Sequence, residues 1–224
     1  MRKTVIASAL FAASVLPSLA AAQTAAPADD YTITGNVSLI NDYRFRGITQ
    51  TMKKPALQGG FDFSHASGFY LGNWNSNVSE YAGFPGGNLE MDFYGGYKTT
   101  FGDFGLDVGA IYYYYPGSKI GGTGSTVDNK EIYIGGSWQF LSAKYYYSVG
   151  DYFSDKGDKN KGTDGTGYLD LAATYDLGGG WGVNGHVGHL SYKGRDKADY
   201  TDWKLGVTKD VKGYVFGLAY VGTN

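Results

Sequence analysis

From Tyr31 to the C-terminus, apolar and polar residues alternate with a period of two in eleven stretches, and the connections between them alternate short and long. In the first stretch Ile33, Val37, Leu39, Tyr43 and Phe45 occupy odd positions, and Thr34, Asn36, Ser38, Asp42, Arg44 and Arg46 even ones. Successive side chains of a strand point to opposite faces, so one face is apolar and the other charged. The pattern predicts strands at 31–46, 56–65, 69–78, 89–100, 104–115, 130–140, 142–152, 167–177, 181–192, 201–210 and 214–222. Outward apolar sets follow, such as Leu57, Phe61 and Phe63, or Leu169, Leu171 and Tyr175, opposite polar sets such as Gln58 and Asp62, Glu90 and Asp92, or Asp107, Glu131, Asp170 and Lys204.

Alternation alone fits both a soluble sandwich, which hides its apolar face, and a membrane barrel, which turns that face to lipid. The connections favour the barrel. Ala66 to Gly68, Gly102 to Asp103, the Leu141 region, Gly178 to Gly180 and Val211 to Gly213 read as tight turns. Between them lie long polar loops at 47–55, 79–88, 116–129, 153–166 and 193–200. Short periplasmic turns and long extracellular loops are the asymmetry of an outer-membrane barrel.

The N-terminus points the same way. Arg2 and Lys3 precede an apolar run from Val5 to Leu16 and the small residues Ala20, Ala21 and Ala22, which reads as a secretory signal peptide over 1–22. The run is far shorter than the roughly 20 residues of a spanning helix. Removing its two positive charges takes the formal charge from −2 to −4, so no attraction to nucleic acid is expected. Cysteine is absent, which excludes disulfides, thiolate metal sites and cysteine nucleophiles. Of 36 glycines, 21 tyrosines and 4 tryptophans, the clusters Tyr112 to Tyr115 and Tyr145 to Tyr147 fit aromatic girdles at the membrane interfaces.

One count does not fit. Single-chain bacterial barrels have even strand numbers, so eleven strands implies either a missing closing strand after Asn224 or an unsplit first strand. The expected fold is an all-β, antiparallel up-and-down transmembrane barrel of about 12 strands, 11 of them in this chain.

The stretch from Asn36 to Val78 carries Asp42-Tyr43-Arg44-Phe45-Arg46-Gly47, then Gln50, then Pro55-Ala56-Leu57-Gln58-Gly59-Gly60. Gly68-Phe69-Tyr70 follows, running into Trp74 and Ser76-Asn77-Val78. This ordering resembles the TorF family of porins, also catalogued as the Gcw_chp family of bacterial proteins of unknown function. The resemblance implies a secreted outer-membrane protein of unassigned solute, and a final aromatic-ended strand that this chain lacks.

Candidate chemistry concentrates on the polar face. Asp42, Arg44 and Arg46 would form a charged constriction, or pair with carboxylates such as Asp62. Lys98 and Asp107, flanking a tight turn, suggest a cross-strand ion pair. Asn73, Asn75 and Asn77 share one face and would line a polar path. The selectivity candidates are Asp42, Arg44, Arg46, Asp62, Asn73, Asn75, Asp92, Lys98, Glu131 and Lys204. On the inferred inner face as a whole, with Glu90, Asp107 and Asp170, carboxylates outnumber bases, which favours cations slightly.

His189 and Ser191 share a face, as a lipid hydrolase would need, but no orienting third group is evident. Asp158-x-Asn160-x-Gly162-x-Asp164 has oxygen ligands without the spacing of a calcium loop, and Lys156, Lys159 and Lys161 would repel a cation. Gly121-Gly122-Thr123-Gly124 lacks the following Gly-Lys-Ser/Thr of a phosphate loop. No cofactor, metal or catalysis is expected. The expected function is passive diffusion of small hydrophilic solutes or ions. Expected partners are outer-membrane lipid, lipopolysaccharide and the barrel-assembly machinery. The alternatives are an outer-membrane lipid hydrolase or a closed structural or surface-interaction barrel.

Overall fold

A computed structural model describes residues 30–120 and 124–224; residues 1–29, which include the expected signal peptide over 1–22, and Gly121 to Thr123 lie outside them. Eleven long strands form one antiparallel sheet in chain order. They are β1 (Tyr31–Ile40), β4 (Ala56–His65), β5 (Phe69–Asn77), β6 (Leu89–Phe101), β7 (Phe104–Lys119), β8 (Thr126–Trp138), β9 (Leu141–Ser148), β10 (Gly167–Gly178), β11 (Trp181–Ser191), β12 (Tyr200–Val211) and β13 (Tyr214–Thr223). A short hairpin, β2 (Arg44–Phe45) and β3 (Ile48–Thr49), stands apart from the sheet inside the first long loop. Each long strand pairs with its sequence neighbour, and all the tight turns fall at one end of the sheet. Strands β1 and β13 are the edges. Both run from the tight-turn end to the long-loop end, and among the described residues no ladder joins them.

The alternation sorts the side chains as the sequence predicts. Val37, Leu39, Phe61 and Phe216 are 65–72 % exposed, and Leu57, Ile134, Leu171, Val187 and Leu205 join them on the outer face. So continuous an apolar exterior far exceeds the patches that soluble monomers show. The buried residues lie on the opposite face, where Ile40, Tyr43, Val78, Phe84, Tyr113 and Tyr115 cluster.

Two expectations are corrected. The first strand ends at Ile40 rather than Arg46. Beyond it the chain folds into the interior, so Tyr43, expected on the lipid face, is buried beside Trp74 at 5.4 Å between ring centroids. The period survives because the inserted segment is itself a β-hairpin. Arg46 and Gly47 form its two-residue turn with φ of 47° and 78°, the paired positive values that a type I′ turn requires. The tyrosine clusters also divide by parity. Tyr113, Tyr115 and Tyr146 point inward, while Tyr145 and Tyr147 are exposed outside.

Candidate functional site

The interior at the long-loop end is filled by residues 41–51. Asp42 organises the start of this segment, accepting hydrogen bonds from Thr49 Oγ1 and from Arg44 Nε, the latter at 2.8 Å. Tyr43 N donates to Thr51 Oγ1 and Gln50 N donates to Tyr43 O, which closes the segment on itself. Arg44 Nη1 donates to Gly47 O at 2.9 Å, fixing the hairpin tip.

From that tip Arg46 reaches the far wall. Its guanidinium makes a two-pronged contact with Glu131 on β8, Nη2 to Oε2 at 2.7 Å and Nη1 to Oε1 at 2.9 Å. Nη1 also donates to Tyr152 Oη at 3.0 Å. Tyr168 and Tyr146 flank the cation at 4.4 and 5.1 Å to their ring centroids, and Phe45 lies at 4.7 Å. Both partners are almost fully buried, at 5 % and 1 % side-chain exposure. Glu131 is held independently by Asn129 Nδ2 at 3.1 Å and Tyr113 Oη at 3.4 Å. Such a charge in a dry interior is tolerable only because it is paired and hydrogen-bonded.

Gly47 seats the tip against β12 and β13. A Cβ there would lie 2.5 Å from Thr223 Cγ2 and 2.6 Å from Asp202 Cβ, at a φ that side chains resist. Gly47→Ala is expected to weaken the seated segment by about 1–3 kcal/mol, seen as faster proteolysis between Asn41 and Pro55 with the sheet intact; an unchanged digest would mean that the tip tolerates displacement.

Around the seat the interior is rich in carboxylates. Glu90 and Asp92 project from β6, buried, and Glu90 Oε2 and Asp92 Oδ1 have no hydrogen-bond partner in the structure. Tyr115 Oη donates to the other Glu90 oxygen at 2.8 Å. On β10 to β12, His186 lies between Asp170 at 3.0 Å and Asp202 at 3.4 Å, and Tyr168 Oη donates to Asp202 at 2.9 Å. Nearer the tight turns, Tyr70 Oη and Lys144 Nζ both donate to Asp107 at 2.6 Å.

The structure thus brings together Asp42, Arg44, Arg46, Asp92 and Glu131, and places Asp62, Lys98 and Lys204 deeper on the same inner face. Asp62 accepts from Tyr94 Oη at 2.6 Å and does not meet the arginines. Lys98 stands opposite Asp107 in register, yet Asp107 pairs with Lys144 and Lys98 lies over the Tyr70 ring at 4.4 Å. A lysine two strands away reaches the carboxylate because the wall curls and long side chains span it.

Asn73 and Asn75 are misplaced outright by the sequence reading. They lie on the outer face, Asn73 in register with Phe61 and Phe93 and Asn75 with Gly59 and Met91, while Trp74 and Ser76 point inward. Asn75 Nδ2 donates to Asn73 Oδ1 at 2.6 Å, and Asn73 Nδ2 to Asp92 O at 3.1 Å. Polarity suggested the inner face, but register with Phe61 decides. Glu90, Asp202, His186 and Lys144 were not singled out, although their parity marks each as inward. His189 is on the outer face, 2.9 Å from Thr201 Oγ1.

The long loops are cross-braced. Arg195 donates from Nε and Nη2 to the two Asp155 oxygens, each at 2.6 Å, and Nη1 lies 3.3 Å from Asp158. The Arg195 hydrogen bonds, with those from the Gly157 amide and Tyr192, outweigh partial burial and hold the Asp155 carboxyl below its ordinary range. A depressed carboxylate contributes stability above its unfolded value of about 4 and loses it as pH falls through the folded value. The brace is therefore expected to be unaffected between pH 5 and 8, on the order of the usual stability plateau, and to loosen below about pH 4. Hydrogen exchange of the Asp158 amide, bonded to Gly194 O at 2.7 Å, reads this directly. An Arg195→Gln chain with the same acid profile would refute it.

A family model described as "Bacterial protein of unknown function (Gcw_chp)" matches residues 24–224. The chain belongs to the Gcw_chp family. No curated protein and no solved structure matches it. The matched range of this Gcw_chp protein spans the whole described sheet, the inserted hairpin and the Arg46 seat.

Proposed function

We propose that this Gcw_chp protein is a porin-like channel of the bacterial outer membrane, normally narrowed by its own first loop. The observation that carries the reading is a wall apolar outside and polar inside, curled around an inward-folded hairpin. A soluble protein has no use for an exterior of exposed leucine, phenylalanine and valine, whereas lipid does. The resemblance to TorF porins, export by a signal peptide and assembly by the barrel-assembly machinery belong to the same reading. So does closure of the wall.

Passive diffusion through such a lumen is filtered by charge. Glu90, Asp92, Glu131 and Asp202 set carboxyl oxygens along the inner wall at the long-loop end, and oxygen-lined passages of this kind hold cations. The test is current through planar bilayers under a potassium chloride gradient, with the purified protein shown to be folded and inserted. Discrete steps whose reversal potential favours potassium support a cation-preferring pore. Silence from inserted protein refutes the channel.

A further inference from the structure

We infer that the seat filled by Arg46 is a binding site for guanidinium-bearing solutes, with Arg46 as its internal competitor. As a statement about what is transported it rests on the channel reading. As a statement about binding it stands on the geometry alone.

Three features point to this ligand class. First, the seat matches a planar fork: Glu131 presents both oxygens to two guanidinium nitrogens at 2.7 and 2.9 Å, a complementarity that an ammonium lacks. The rings of Tyr168 and Tyr146 flank the same group, and guanidinium, weakly hydrated and flat, is the cation that stacks best between such rings. Second, the seat is built without Arg46. Asn129 and Tyr113 orient Glu131, and the tyrosines belong to β9, β10 and the loop after β9. Third, the neighbouring acids are not used up. Glu90 Oε2 and Asp92 Oδ1 are buried and unpartnered, and Asp92 lies within electrostatic reach of Glu131. Those two oxygens remain open to accept N–H donors from a solute that enters the seat.

The Arg46 backbone sits at a positive φ, uncommon for a side-chain-bearing residue, on a hairpin with two residue pairs. A free guanidinium presents the same contacts without that strain. Displacing Arg46 would release residues 41–51 and open the passage, so the solute would act as its own key.

The probe is methylguanidinium, titrated at millimolar concentration against the purified Arg46→Ala protein in detergent. A saturable rise of several degrees in Tm is expected, with at least tenfold weaker response to methylammonium and none to N-methylurea. The response should vanish in Arg46→Ala/Glu131→Gln. Should Arg46→Ala fold only with the probe present, that rescue is the same result. The unmodified chain supplies a second reading, in which methylguanidinium accelerates exchange of the Gln50 amide, now bonded to Tyr43 O, and methylammonium does not. No saturable response in the variant, or equal responses to methylguanidinium and methylammonium, overturns the site. Binding in detergent without conductance in bilayers would keep the site and refute the channel.

Discussion

Arg46→Ala is expected to raise the open probability of single channels by roughly a hundredfold over the unmodified chain. The buried Glu131 loses its counter-charge, and removing one partner of a buried pair costs about 3–5 kcal/mol. That cost falls on the seated conformation. When residues 41–51 leave the interior, water reaches Glu131 and the penalty disappears, so the variant relieves it by opening. A bias of about 3 kcal/mol corresponds to roughly two decades in the closed-to-open ratio. Glu131→Gln should open the pore as well, because it strands the buried Arg46 guanidinium in place of the carboxylate. Single-channel recording of the three proteins, each shown by thermal melting to be folded, checks this. Equal open probability would mean that the first loop does not obstruct conduction.

Leu171→Arg is expected to abolish accumulation of the protein in outer membranes, whereas Thr174→Arg, three residues on, is expected to be accepted. Leu171 lies at the middle of β10 on the outer face and is 50 % exposed. A charged side chain there meets hydrocarbon at the bilayer midplane, at about 2–4 kcal/mol for arginine. Thr174 has the opposite parity, in register with Asn184, and its replacement points to the polar interior. Membrane fractionation and heat-modifiable gel mobility of the two variants separate a membrane wall from a soluble sheet. If Leu171→Arg folds and stays soluble while Thr174→Arg collapses, the apolar face is not the lipid face.

The wall was legible in the sequence to within a few residues. The strand read at 56–65 is observed at those bounds, and that at 214–222 extends by one residue. The errors share a cause. Residues 41–46 and the asparagines of β5 both keep a period of two, and period reports local backbone geometry without saying which surface each face meets. Polarity was used to choose, and it failed where the outer face carries amides bonded to one another and to backbone carbonyls. It failed again where tyrosine and phenylalanine bury inside. Asn73 could have been placed by its predicted pairing with Phe61. Tyr43 could not, since nothing before Ile40 announces that the next strand leaves the sheet.

The ion pairs were less legible still. Asp42, Arg44, Arg46 and Glu131 were chosen correctly as inward charges, but Arg46 and Glu131 are 85 residues apart. Alternation names the side chains that share an interior; partners are set by curvature and loop path, which depend on every strand between them.

What the sequence determined by itself is the two-sided wall: strand count, turn and loop ends, and the apolar exterior, because each follows from neighbours two residues apart and from turn chemistry. The tertiary structure decided that the first loop folds inside, that Arg46 meets Glu131, and that Lys144 rather than Lys98 meets Asp107. Those outcomes are settled by which buried charges can reach one another across the inner face of the curled sheet, and that distance is a property of the whole fold.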